Sequence, residues 1–84
     1  MWRETVSRII KSEMSIKGVK YNDLSMRLSA MGINQTADNL RNKINKGILG
    51  ADLLIQILFC LESTQLDMTR VQDILDDLKK TRPN

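Results

Sequence analysis

Eighty-four residues suffice for one small domain and are too few for two. With 42% apolar and 27% charged residues the chain reads as globular rather than disordered, and its low aromatic content of 4% leaves the core to Leu, Ile, Val and Met. There is no His, so the commonest general base and metal ligand is missing. The formal charge of +3 is unevenly spread. Residues 1–50 hold nine Lys/Arg against four Asp/Glu, a net of +5, whereas residues 51–84 hold four against six, a net of −2. A basic half suits contacts with phosphate.

Taken in order, Trp2, Val6, Ile9, Ile10 and Met14 fall at helical spacing among charged residues, which predicts a first amphipathic helix over residues 2–16. Gly18 stands just past it, where a left-handed closing residue belongs. Trp2 is expected half-buried against the domain. A second helix is expected over Asn22–Met31, with Leu24, Leu28 and Met31 on one face. Two starts compete for it. Lys20 as cap would let Val19 staple onto Leu24, but Lys caps poorly; Asn22 has the better capping chemistry and is favoured.

Gly32 ends that helix and Ile33 follows as an apolar plug. In the next stretch, NQTADNLRNKINKG, Thr36 is the expected N-cap and Asp38 suits the first turn. Ala37, Leu40 and Ile44 make the inward stripe, and Gly47 closes the helix after Lys43 and Lys46. Residues 50–62, GADLLIQILFCLE, are apolar at nearly every position, which predicts a helix buried on most sides at the centre of the core. Asp67 then caps a last helix, with Leu66 stapling to Val71 and a stripe of Val71, Ile74, Leu75 and Leu78. The expectation is an all-α, five-helix domain over residues 1–80, with a flexible tail at 81–84.

Catalytic constellations are nearly absent, so no enzyme, no cofactor and no metal site is expected. Cys60 is the only cysteine and lies within LLIQILFCL, as a small core residue would; it has no base partner. Asp73, Asp76 and Asp77 neighbour one another on the last helix but read as a solvated face. The longest nearly apolar run, residues 53–61, covers about half a membrane span. Without a signal-type N-terminus, and with a free thiol, a cytoplasmic protein is expected.

The third helix carries the informative constellation. With Ala37, Leu40 and Ile44 inward, a step of about 100° per residue turns Gln35, Asn39, Asn42 and Lys46 outward. Asn and Gln pair bidentately with adenine, and Lys or Arg with guanine, at the major-groove edge, so these four are the candidate base contacts. Thr36, Arg41 and Lys43 flank them, and Lys17, Lys20 and Arg27 lie near the entry to the second helix; these six are the candidate phosphate contacts. Asp38 beside the face opposes phosphate.

The order of helix, KGVKYNDLSMRL, Gly turn, NLRNKINKG and apolar helix resembles the lambda-repressor-like helix-turn-helix superfamily. Leu24, Ser25 and Leu28 match its Leu-Ala-x-x-Leu pattern, Gly32-Ile33-Asn34 its Gly-Val-Ser turn, and Leu40 and Gly47 its recognition-helix Leu and closing Gly. Ser29, Ala30 and Met31 are additional before the turn, and the Gly32-to-Gly47 interval is longer than in that pattern. MGINQTADN followed by NLRNKINKG is also similar to a small bacterial family known mainly as a domain of unknown function, over most of residues 3–80. The resemblance implies a compact five-helix domain whose second and third helices form a DNA-reading pair. The expected function is therefore sequence-specific binding of double-stranded DNA by a small transcriptional regulator, with pairing into a homodimer across two half-sites. No membrane or small-molecule partner is expected. The alternative is a protein-interaction module on the same fold, with the acidic last helix as its motive.

Overall fold

Three pairs of glycine plus an apolar residue, Gly18-Val19, Gly32-Ile33 and Gly47-Ile48, divide the first half of the chain into helices. In the computed structural model, which describes residues 1–81, these are α1 (Trp2–Lys17), α2 (Tyr21–Ala30) and α3 (Ala37–Lys46). Each of the three pairs closes its helix in the same way. The glycine amide donates to the carbonyl three residues back, and the following apolar residue's amide donates five residues back. The second bond runs from Val19 to Met14 at 2.9 Å, from Ile33 to Leu28 at 2.9 Å and from Ile48 to Lys43 at 3.0 Å. Carbonyls that would otherwise lack partners are thereby satisfied, and the chain is turned sharply out of the helix. Two further helices, α4 (Ala51–Cys60) and α5 (Met68–Thr81), complete an all-helical fold with no strand among the described residues. None of these helices is long and apolar enough to cross a membrane. The end of the chain expected as a tail is helical at Thr81, and positions 82–84 lie outside the described residues.

The main core is assembled from α1 to α4. Ile10 and Met14, Leu24 and Leu28, Leu40 and Ile44, and Leu53, Ile57 and Cys60 share one buried cluster with Val19 and Leu61. Burying a side chain of this size contributes about 1.5–3 kcal/mol, so this cluster is the main source of stability. α1 lies against α3 and α5, while α2 lies against α3 and α4. α5 buries Leu75 and Leu78 outside the main cluster and is fastened to α1 by ion pairs. Arg8 meets Asp77 at 2.7 Å, and Arg70 meets Glu13 at 2.7 Å. Arg70 also reaches the Ser12 hydroxyl, and Ser63 donates to the second Glu13 oxygen at 2.9 Å, tying in the loop before α5. The α5 cap is as expected: the Thr69 amide donates to Asp67 Oδ1 at 2.9 Å.

Four expectations are corrected. α2 is capped by Lys20 rather than Asn22, and no side chain among the described residues bonds to its first amides. Val19 and Leu24 on either side of the cap are both buried in the main cluster, so apolar packing across the helix start sets the boundary in place of cap chemistry. Met31 caps that helix from outside it and is partly exposed, although its Sδ accepts the Cys60 thiol at 3.4 Å. Trp2 is 68% exposed instead of half-buried, because α1 starts beyond the edge of the core. The fourth correction concerns α4, which is not buried on most sides. Leu53, Ile57 and Cys60 face the core, but Ile55 and Phe59 are 66% and 70% exposed. α4 packs chiefly against α2, and no element among the described residues covers Ile55 and Phe59 on its outer side. Cys60 itself is buried as expected. Burial pushes its thiol above its ordinary pKa, partly offset by the Arg27 charge.

Candidate nucleic-acid interface

α3 owes its placement to both its ends and its inner stripe. The Thr36 hydroxyl accepts the Asn39 amide at 3.0 Å, satisfying one of the helix's first donors. Leu40 and Ile44 are fully buried, which fixes the roll of the helix. Gly47 closes it at φ 66°. A Cβ at this position would overlap the Arg3 carbonyl oxygen and stand 2.6 Å from the Arg3 carbonyl carbon. The end of α3 therefore rests directly on the backbone at the start of α1, an approach only glycine permits. On the other side, the Ser25 hydroxyl of α2 donates to the Gln35 carbonyl at 2.6 Å, pinning the connection that leads into α3.

With the roll fixed, the outer row follows. Asn39, Asn42 and Lys46 are exposed, and so is Asn45 beside them. None of these four side chains has a hydrogen bond or ion pair among the described residues. Gln35 differs from them. It precedes the helix, is half-buried, and accepts Lys43 Nζ on its side-chain oxygen at 3.2 Å. A candidate base contact and a candidate phosphate contact thus hold each other.

The remaining candidates separate by location. Arg41 is oriented from two sides. Its Nη1 donates to Asp38 Oδ1 at 2.5 Å, and its guanidinium lies over the Tyr21 ring, 5.2 Å from the centroid. Asp38 is consequently partly neutralised by its own helix. Lys20 and Arg41 line one cavity, to which Lys11 of α1 also contributes; Lys11 stands nine positions before Lys20 across a helix end, so no local spacing joins the two. Lys17 is exposed and unpaired among the described residues. Arg27 belongs elsewhere. Its Nη1 donates to the Cys60 carbonyl at 3.0 Å, so it closes the last turn of α4 and borders a cleft with Met31 and Phe59. A second cleft, bounded by Ser25, Ser29, Asn34 and Asn39, runs between α2 and the start of α3. Its lining offers hydroxyls and amides but no charge. Ser25 and Ser29 at i, i+4 were its only sequence signal.

No curated protein and no solved structure matches this chain. Residues 2–66 match the family described as Domain of unknown function (DUF6471). The matched segment holds the main core, α1 to α4, together with the loop that follows, and stops just short of α5. Since the match spans most of its length, the chain belongs to the DUF6471 family.

Proposed function

We propose that this chain is a cytoplasmic, non-catalytic DNA-binding domain of lambda-repressor-like helix-turn-helix type, in which α2 and α3 form the reading pair. A role as a small transcriptional regulator, acting as a pair of copies on two half-sites, fits this reading. The observation that carries it is the division of α3. Leu40 and Ile44 are fully buried, while Asn39, Asn42 and Lys46 stand exposed with no side-chain partner among the described residues. Asn is a mediocre helix former, so a row of uncommitted amides gives a solvated helix little stability. The same amides can read adenine edges. Lys17, Lys20, Arg41 and Lys43 would supply backbone contacts, along with the first amides of α3 beside Thr36.

Selection of bound duplexes from a random pool tests the reading. Asn42→Ala is expected to relax preference at one position, and Lys46→Ala to weaken all sequences and flatten the salt slope by about one. An absence of salt-dependent duplex binding at low ionic strength overturns it. The second reading, a protein-docking module on the same fold, draws support from Ile55 and Phe59, which stand exposed one helical turn apart on α4. An amide chemical-shift titration with short duplexes separates the two, since DNA read by α3 perturbs residues 35–46 first.

A further inference from the structure

The cavity that joins α1, α2 and α3 differs in lining from the clefts beside Arg27 and beside Ser25. It encloses about 410 Å³, and its three charged lining residues, Lys11, Lys20 and Arg41, are all cations contributed from three different parts of the chain. Met14, Val19 and the Tyr21 ring supply apolar lining between them, and Ser15 and Asn22 add neutral polar groups. Lys11 and Lys20 have no carboxylate or hydrogen-bond partner among the described residues. Arg41 spends one nitrogen on Asp38, but a guanidinium carries five donors in a planar fork. Cations gathered at one concavity without a counter-charge in its lining repel one another, and a bound anion relieves that repulsion.

The backbone adds to the same field. α2 begins at the cavity with Lys20 as its cap and no side-chain bond to its first turn. The first intrahelical bond there is donated by Leu24 to the Lys20 carbonyl at 2.9 Å, so the amides of Tyr21, Asn22 and Asp23 have no intrahelical acceptor. α3 and α5 both have such donors satisfied, by Thr36 and Asp67.

We propose that this cavity is a binding site for a phosphate ester, with the phosphate held by Lys11, Lys20 and Arg41 and the organic part resting on Tyr21, Met14 and Val19. The site does not depend on α3 reading bases. Its ester could be a free phosphorylated metabolite such as a mononucleotide, or a phosphate of a nucleic-acid backbone. In either case Lys11 becomes a ligand-binding residue, and because Lys20 and Arg41 are shared with the proposed DNA contacts, a free ester would compete with duplex.

The test is an amide chemical-shift titration of the full chain with inorganic phosphate, with adenosine monophosphate and with a short duplex, repeated in Lys11→Gln. Lys11 is exposed on α1, so the variant keeps the fold, which circular dichroism checks. Saturable shifts at Lys11, Ser15, Lys20, Asn22 and Arg41 are expected, with affinity for the bound ester falling roughly tenfold in Lys11→Gln. Shifts with adenosine monophosphate identify a free ester as the ligand. Shifts there with duplex alone identify the nucleic-acid backbone. If no probe moves these amides, or if Lys11→Gln leaves every affinity unchanged, the proposal is overturned. Loss of the DNA reading gives a different pattern, with residues 35–46 silent to duplex while the cavity amides still respond to the mononucleotide.

Discussion

α3 and α4 are each ten residues long and follow one another in the chain, yet they cover their apolar side chains to different extents. α3 is among the most polar helices of the fold, but two of its side chains, Leu40 and Ile44, are completely buried. α4 is apolar at nearly every position, but two of its largest side chains, Ile55 and Phe59, face outward. The difference lies in partners. α3 is held between α1 and α2, whereas α4 has α2 on one side and no comparable neighbour on the other. A narrow apolar stripe that meets two helices is covered completely, whereas a broad one that meets chiefly one helix is covered only in part. The narrow stripe also leaves α3 free to carry polar groups that packing does not need.

A pair of truncations sharpens this contrast most. Ile44→Ala on α3 removes a fully buried side chain and leaves a cavity, with an expected loss of about 2–5 kcal/mol. Ile55→Ala on α4 removes the same atoms from an exposed position and is expected to change stability by less than about 0.5 kcal/mol. Urea unfolding followed by circular dichroism measures both. If the two losses were equal, Ile55 would have to be covered in solution, most simply by a second copy or a partner.

The same contrast marks what the sequence could disclose. Thr36, Gly47 and Asp67 were legible as helix boundaries because caps act through bonds to residues within a few positions. The stripes Leu40/Ile44 and Leu75/Leu78 were legible because each is periodic within one helix. The exposure of Ile55 and Phe59 was not, since an apolar run specifies what could be buried and is silent on which sides have neighbours. Lys20 as the α2 cap, with Val19 and Leu24 packing across it, was one of the two starts the sequence offered; Asn22 was favoured because side-chain capping chemistry was given more weight than apolar packing. At the candidate site, the outward row Asn39, Asn42 and Lys46 followed from the helical period. The Gln35–Lys43 bond, the Arg27 contact with the Cys60 carbonyl and the meeting of Lys11 with Arg41 depend on tertiary packing, which no local spacing encodes.

Gly47→Ala breaks the comparison at the other end of α3. The substitution places an L side chain in the left-handed region, which costs about 1–2 kcal/mol, and drives its Cβ into the Arg3 backbone. Overpacking of this kind adds about 1–3 kcal/mol unless the start of α1 moves away. The expected total is a loss of roughly 2–5 kcal/mol in urea unfolding. Gly18→Ala is the control, because it has a similar φ of 68° but nothing within 4 Å of the added Cβ. It should lose only the backbone part. Equal losses at the two positions would show that α1 yields freely and that the contact with Arg3 does not hold α3 in place.

The end of α4 supplies the smallest and most direct comparison. It closes with the same bonding as α3: the Glu62 amide donates to the Phe59 carbonyl at 3.0 Å and the Ser63 amide to the Leu58 carbonyl at 3.0 Å. The left-handed position, however, is filled by Glu62 at φ 56°, the only positive φ outside glycine among the described residues. An L residue in that conformation is strained, and glycine is not. Glu62→Gly removes the strain but also frees the unfolded chain, so the gain is a difference between two opposing effects. Glu62 is exposed and takes part in no ion pair among the described residues, so its carboxylate contributes little to that difference. The expected outcome is a rise of about 0.5–1 kcal/mol in unfolding free energy, read as a higher urea midpoint at unchanged slope. A fall instead would mean that Glu62 contributes a compensating contact in solution. The charged candidate is Arg27, which borders the same cleft as Glu62 and already donates to the Cys60 carbonyl. Repeating the substitution in an Arg27→Ala background would separate that contact from backbone strain, because the strain is indifferent to Arg27 and the contact is not.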